Sequence, residues 1–533
     1  MIETPFRSGS PIQTKTLADR SAVFALGRVE AIRLLRHPVM LGAFLSLAAA
    51  WSIPALLNDP ADAYPIMHEV NQSVQLLTAF LLGGAALIVS HLAVIRDAHH
   101  RSEALVSVLV LERWQRLLAH LLALVPLALL AGLLAVVRVA MIGANPNAVG
   151  RVAAYEQAVG PLAVVLLGAG GILLGCLTTL TVIGPLVVVL LTIATLGSTY
   201  FAPGNGLRLQ ALLPVTYGEV FVLPIPGALA DRRDDWHLLY LVAATLLIGV
   251  IALLASGYRA RWVKAGAVVA AVSVGSVAWI QVLPIDSSLT AARAIATNEP
   301  SVQQVCERRS NVTYCVWPEF RPWIASWERV VRGVLAQAPD EVASRPLAVR
   351  QRVNAAHPLG FGAGSISKAP VASWSRDDER AGIPDAVIAE TAWGSPEHKF
   401  GLAARLAYTV VSGKPPAVNI AAACGSQALI TLWLAVRADE SVSAALEQVR
   451  KQGGGGLFLT TAGFGTGVAF TYPAIVLLQA LLELPVDLTQ SKIRTSWAQL
   501  VDPSTTLRQA AVSLGLPVSR IPAIEDSRCG KNE

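Results

Sequence analysis

Charge is scarce in this chain: only 15% of its 533 residues are Asp, Glu, Lys or Arg, where an ordinary soluble domain carries about 25%. Histidine (9), cysteine (5) and methionine (4) are few as well. So are the signatures of catalysis. There is no G-x-x-x-x-G-K-[ST] phosphate loop; Val411-Ser412-Gly413-Lys414 lacks the first glycine and runs into Pro415-Pro416. There is no H-E-x-x-H zinc helix and no G-x-S-x-G nucleophile elbow. His99-His100 beside Asp97 come nearest to a metal set. Adjacent histidines point different ways on a helix, so a solvated basic loop is the expectation there. The net charge of +6 is spread as 18 basic against 14 acidic residues in 1–285 and 24 against 22 in 286–533, too weak a bias for nucleic acid. These absences lead to the expectation that the chain is not an enzyme, holds no cofactor or metal, and binds no nucleic acid.

What is present is apolar: 54% hydrophobic residues, with a mean hydropathy of +0.54. Seven charge-poor runs crowd the first 285 residues: Pro38–Leu57, Val74–Ile95, Leu117–Ile142, Pro161–Leu180, Val182–Ser198, Trp236–Leu254 and Ala265–Leu283. A helix needs about 20 apolar residues to cross the hydrocarbon of a bilayer, and one or two such runs fit a soluble core where seven do not. Arg138 is the only Asp, Glu, Lys or Arg inside them, near an end where its side chain can snorkel. The expected fold is mainly α: a polytopic helical membrane domain of six to seven spans, then a mostly helical extracytoplasmic domain. The boundaries read as 1–37 (polar N-terminus with an interfacial helix), 38–285 (spans) and 286–533 (outer domain). The polar start and the long first run do not fit a cleavable signal peptide. With the N-terminus in the cytoplasm, inside segments carry 13 Lys and Arg and outside loops four (Arg151, Arg208, Arg232 and Arg233), which orients the chain N-inside.

Two runs qualify this pattern. The turn Leu180-Thr181 is so short that the fourth and fifth runs also fit a re-entrant or broken pair. Phe464–Leu484 is apolar but contains Gly465, Gly467, Pro473, Gln479 and Glu483, so a buried helix is expected there rather than an eighth span. The runs hold His91, His120 and Arg138, all near ends. An ion-coupled carrier would bury ionisable groups mid-membrane, so energy for transport is expected from a partner.

Cys306 and Cys315 flank the eight-residue loop Glu307–Tyr314. In an oxidising compartment such a pair reads as a disulfide; the spacing does not suit a zinc site. Cys176 and Cys424 read as buried packing residues and Cys529 as part of a polar tail. The cluster Trp317-Pro318-Glu319-Phe320-Arg321-Pro322-Trp323 fits either a ligand contact or a core, and the core is expected. Helical spacing follows over Ile324–Gln337. Residues 345–400 read as loops with short strands. Lys399–Val411, Ala421–Val436, Val442–Gln452, Tyr472–Leu484, Ile493–Leu500 and Thr505–Leu514 read as helices, with a break at Gly453–Gly456.

Two stretches expected on the cytoplasmic side point further. In Ala25–Pro38 and just before it, Val23, Phe24, Ala31, Leu34 and Leu35 share one side of a helix, and Arg28, Glu30, Arg33 and Arg36 the other, as in a helix lying in the membrane interface. After the second run comes Arg96-Asp97-Ala98-His99-His100-Arg101-Ser102-Glu103-Ala104-Leu105, which leads through Glu112-Arg113-Trp114 into the third. Residues 21–260 thereby resemble the membrane subunits of ABC-2 type exporters, of the actinobacterial kind with an appended extracytoplasmic domain. In that family an interfacial helix precedes the first span, and a short helix between spans two and three, often with a Glu-x-Leu pattern like Glu103-Ala104-Leu105, docks on the ATP-binding subunit. The resemblance implies a permease subunit in the cell membrane, a homodimer or heterodimer of permeases, and a separate ABC ATPase that carries ATP and Mg²⁺. It also implies a dock at Arg96, Asp97, Arg101, Glu103 and Arg113. The seventh run and the 248-residue tail depart from the basic family pattern. The alternative is a membrane-anchored sensor or assembly protein whose outer domain binds a ligand or partner.

Overall fold

A computed structural model describes residues 11–57, 63–99, 111–201, 208–215, 221, 223–355, 370–416, 420–443, 446, 457–460 and 467–518. Helix α1 (Pro11–Arg36) meets α2 (Pro38–Leu57) at His37 in a bend of 56°. Pro38 cannot donate the backbone hydrogen bond that would carry the helix through. Helix α3 (Met67–Leu77) passes through a wide turn, Thr78–Gly83, into α4 (Gly84–His99). Then come α5 (Arg113–Gly143), α6 (Ala154–Leu177), α7 (Ile183–Phe201), α8 (Asp234–Ala255) and α9 (Arg261–Val282).

Among the described residues, five helices are long and apolar enough to cross a membrane: Met67–Arg96, Arg113–Gly143, Ala154–Leu177, Asp234–Ala255 and Arg261–Asn298. The bent α1–α2 pair makes a sixth if counted as one span. The run expected at Val182–Ser198 forms a shorter apolar helix, Ile183–Ser198. It lies antiparallel along α4, with Gly184 beside Ile88 and His91, and Val188 beside Gly84. The 180 turn is closed by a hydrogen bond between His91 Nε2 and the Leu180 carbonyl, 3.0 Å apart.

Small residues set how the helices meet. A β-carbon on Gly171 would lie 2.2 Å from the Leu87 carbonyl oxygen, one on Gly175 2.7 Å from Val94, and one on Gly168 2.6 Å from Leu124. A stripe of glycines on α6 thus lets α4 and α5 approach backbone to side chain, the packing that apolar surroundings reward when the hydrophobic effect between helices is missing. Aromatic residues collar both ends of the bundle. Trp114 stacks on Tyr258 at 4.3 Å, and Tyr258 meets Trp262 edge-on at 5.5 Å. At the opposite end the Arg138 guanidinium sits 5.8 Å over the Trp51 ring. Such belts suit the headgroup zones of a bilayer.

The remaining chain covers the Trp51 end. Helix α10 (Ser287–Asn298), capped by Asp286, leads into a hairpin of β1 (Val305–Arg309) and β2 (Val312–Val316). Strands β3 (Leu347–Gln351) and β4 (Val387–Ala389) add to it in parallel, giving the order β1-β2-β3-β4. A second sheet joins β5 (Ile420–Ala422), β7 (Gly467–Phe470) and β6 (Leu457–Thr460) in that order. The hairpin and the second sheet were not foreseen from sequence. Helices α11 (Ile324–Gln337), α12 (Val371–Arg380), α13 (Pro396–Ser412), α14 (Gly425–Val436) and α15 (Tyr472–Leu482) pack around these sheets. Helix α15 is the buried element expected at Phe464–Leu484, and its 11 residues cover only about half a bilayer. The break expected at Gly453–Gly456 lies outside the described residues.

Cys306 and Cys315 face each other in the β1–β2 register and form a disulfide. Closing a loop this short contributes about 2–3 kcal/mol in the chain-entropy treatment. Cys306→Ser with Cys315→Ser is therefore expected to lower the thermal midpoint of the purified protein, and reductant is expected to shift the wild type further than the variant, which keeps only the disulfide of Cys424. Cys424, expected as a packing residue, is disulfide-bonded instead, while Cys176 is free. Cys529 lies outside the described residues.

The aromatic cluster 317–323 is a seam, not a ligand contact. Trp317, Phe320, Trp323 and Trp327 are buried. Trp323 Nε1 donates to the Asn147 carbonyl at 2.9 Å, and Tyr64 donates to Ser326 Oγ at 2.7 Å. The Tyr64 ring meets Trp323 and Trp393 edge-on. The C-terminal part is thereby fastened to the loops between α2 and α3 and between α5 and α6.

Candidate functional site

A cavity of about 330 Å³ lies where the bundle meets this C-terminal part. Its floor is α3 and the first turns of α6 and α8, which bring His68, Glu69, Gln75, Glu156, Asp234 and His237. Its roof is the segment 208–233, with Arg208, Asp231, Arg232 and Arg233. The roof leans on the C-terminal part: Ile225 and Leu229 belong to its core, and Leu223 packs with Trp374.

The wall is a net of paired charges. Arg208 and Asp231 form an ion pair, and Arg233 Nε lies 3.5 Å from the same Asp231. Arg233 also donates to the carbonyls of Ile280 and Pro284, both at 2.9 Å, and so closes the end of α9. Arg232 lies 3.4 Å from Glu156, whose other oxygen accepts the Ala153 N–H at the start of α6. His237 meets Gln281 Oε1 at 3.0 Å and the Pro214 carbonyl at 3.3 Å. Gln281 is 2% exposed, and among the described residues its Nε2 has no hydrogen-bond partner. Glu69 and Asp234 make no hydrogen bond or ion pair among the described residues, so they face the cavity as unpaired acceptors. The chamber can therefore take a polar guest through carboxylate, guanidinium and amide groups together.

The chain matches no family model and no curated protein. The chamber must be judged on its own chemistry. Among the described residues no group of three His, Cys, Asp or Glu is arranged to hold a metal ion.

Glu319 connects the chamber roof to the seam. Its Oε1 accepts the Gly227 N–H at 2.7 Å. Burial pushes its carboxyl above the usual glutamate range, with the Gly227 N–H and Arg232 pulling the other way. A proton is thus held more tightly in the folded chain than in the unfolded one. The stability this gives is complete below the ordinary glutamate pKa and is lost as pH rises through the raised folded value. Glu319→Gln, which keeps an acceptor for Gly227, is expected to flatten that loss in a series of thermal midpoints from acid to neutral pH.

The residues proposed from sequence lie at the other end of the bundle. Arg96 donates to Glu30 at 3.2 Å, and Arg33 donates to the same carboxylate oxygen at 2.6 Å. Arg113 is exposed at the start of α5, beside Glu112, which accepts from Trp114 Nε1 at 2.6 Å. Asp97 belongs to α4; Arg101 and Glu103 lie outside the described residues. One expectation is corrected here. Glu30 was placed with the solvated arginines, but it is only 4% exposed. The buried stripe runs Val23, Gly27, Glu30, Ala31 and Leu34, because Arg96, from another helix, gives Glu30 a partner in the contact.

A second buried polar centre lies in the C-terminal part. Arg350 reaches Asp378 at 2.5 Å and Asp377 at 3.2 Å, while Arg352 reaches Asp378 at 2.6 Å and Asp377 at 3.5 Å. Burial lowers the Arg352 guanidinium to about 10 despite the aspartates, which raise it. Burial likewise raises Asp378 against both arginines. With two charges of each sign, this quartet balances itself and reads as scaffold.

Proposed function

We propose that this chain is the membrane-spanning permease subunit of an ATP-driven exporter, inserted with its N-terminus in the cytoplasm and its C-terminal domain outside, and working as a dimer with a separate ATPase. The observation that carries the reading is the separation of the two polar centres. A charged chamber lies at one end of an apolar bundle, beneath the C-terminal part. Arg96 and Arg113 lie at the other. The excess of Lys and Arg in the segments at that far end supports the orientation. The absence of a phosphate loop from the sequence supports a separate source of energy. The Glu30–Arg96 contact ties α1 to the segment expected to dock, so a rigid-body push there would reach the bent helix pair.

The test is purification of the full chain from its native membrane with mass-spectrometric identification of what accompanies it. A Walker-motif ATPase is expected, its association lost in Arg113→Glu while the variant remains folded. Intact protein that brings no ATPase would overturn the reading. A second reading, a sensor or assembly protein, draws on one observation: the chamber roof packs on the C-terminal part, so a guest in the chamber would be felt there directly. A ligand-induced shift in that part, with no ATPase associated, would favour it.

A further inference from the structure

We propose that the cavity at the α1–α2 bend binds the headgroup of an anionic phospholipid through the guanidiniums of Arg33 and Arg96. The cavity measures about 190 Å³, and its polar lining is Glu30, Arg33, His37, Ser90, Arg96 and His120. A single oxygen of Glu30 serves both arginines. Among the described residues, one carboxylate against two guanidiniums leaves an excess positive charge and most of their N–H donors unused. The two arginine side chains remain 57% and 38% exposed, unlike the Glu30 between them at 5%. His37 adds a donor. Its Nδ1 accepts the Val39 N–H at 3.3 Å, which leaves the proton on Nε2. Forked guanidiniums match the oxygens of a phosphate in geometry as well as charge.

The surroundings identify the source of that phosphate as lipid. On α2, Leu41 and Leu45 are 49% and 72% exposed, and on α1, Phe24 and Ile32 are 66% and 42% exposed. Apolar side chains this exposed on both arms of the bend call for acyl chains, and a basic mouth between helices at the edge of the hydrocarbon suits an anionic headgroup. A headgroup held by the arginines keeps its acyl chains against those leucines, a contact that a free phosphate cannot make. The Trp114–Tyr258–Trp262 belt marks the same end of the bundle as the headgroup zone. The assignment does not depend on the exporter reading, since it concerns only how the bend sits in its leaflet.

The experiment is native mass spectrometry of the full chain, delipidated in detergent and then titrated with phosphatidylglycerol or phosphatidylcholine of identical acyl chains. Phosphatidylglycerol is expected to bind about 30-fold more tightly than phosphatidylcholine, on the scale of two basic residues at an anionic headgroup. Arg33→Gln with Arg96→Gln is expected to abolish the preference, and Arg33→Lys with Arg96→Lys to keep most of it, which separates charge from folding. Glu30→Gln is expected to strengthen phosphatidylglycerol binding, because it removes the anion that competes for both guanidiniums; a purely structural role would not give that sign. Equal binding of the two lipids, or a preference that survives the double glutamine variant, would overturn the proposal. Displacement of phosphatidylglycerol by millimolar inorganic phosphate would also overturn it, making the site a general anion pocket.

Discussion

Gly171→Ala is expected to lower the thermal midpoint of the purified protein steeply and to cut its yield in the membrane, whereas Gly170→Ala, one residue earlier, is expected to leave both nearly unchanged. A β-carbon at Gly171 would sit 2.2 Å from the Leu87 carbonyl oxygen, but one at Gly170 meets nothing within 4 Å. The obstacle is backbone, which cannot swing aside like the end of a side chain. The two helices must part, and Gly175 against Val94 must part with them. Overpacking of this kind costs about 1–3 kcal/mol. The upper end is expected here, because helices in lipid have no hydrophobic drive to close the gap again. The control has the opposite tendency, since alanine in an open helical position is preferred over glycine by about 0.5–1 kcal/mol. The measurement is a thermal melt of both variants in the same detergent. Equal midpoints would mean that α4 and α6 do not touch at Leu87.

Arg350→Met is expected to cost the C-terminal part several kcal/mol of stability and to lower its denaturant midpoint sharply. Arg350 is 1% exposed and holds Asp377 and Asp378, which are also buried, and Gln304 accepts from its Nε at 2.9 Å. Without it, two carboxylates share the single Arg352. Removing one partner of a buried ion pair costs about 3–5 kcal/mol, because the charge left behind stays buried. Arg332→Met is the comparison. Arg332 pairs with Glu328 at 3.1 Å but is 71% exposed, and exposed pairs are worth about 0–1 kcal/mol. Denaturant titration followed by tryptophan emission should separate the two variants by several-fold in free energy. Similar midpoints for both would show that the quartet is wetter than its burial indicates.

The spans were the most legible part of the sequence, since an unbroken apolar run needs no knowledge of what it packs against. The clearest shift in a boundary is informative. The second run was read as starting at Val74, while the helix starts at Met67. The missing turns carry His68, Glu69, Asn71 and Gln72, polar because they floor the chamber, and hydropathy counted them as loop. The chamber itself was not legible. Its ion pairs join Arg208 to Asp231 and Arg232 to Glu156, across 23 and 76 residues, and no spacing rule connects such positions. A signal existed in Asp231-Arg232-Arg233-Asp234-Asp235, five charged residues in a row beside an apolar run in a chain otherwise poor in charge. It was read only for its contribution to membrane orientation. The Cys306–Cys315 pairing was legible because both partners lie in one short loop. Short strands were expected in 345–400, where β3 and β4 lie, but their parallel pairing with β2 over long separations was not legible, nor were the hairpin and the second sheet.

The seam of Tyr64, Trp323 and Trp393 has a mechanical consequence. It clamps the C-terminal part to two separate interhelical loops, through hydrogen bonds from Tyr64 and from Trp323 as well as ring contacts. Two anchor points remove the swivel that a single tether would leave. Access to the space beneath must then come from tilting the whole cap, or from the side through the 208–233 segment, and not from a hinge at the junction near Pro284.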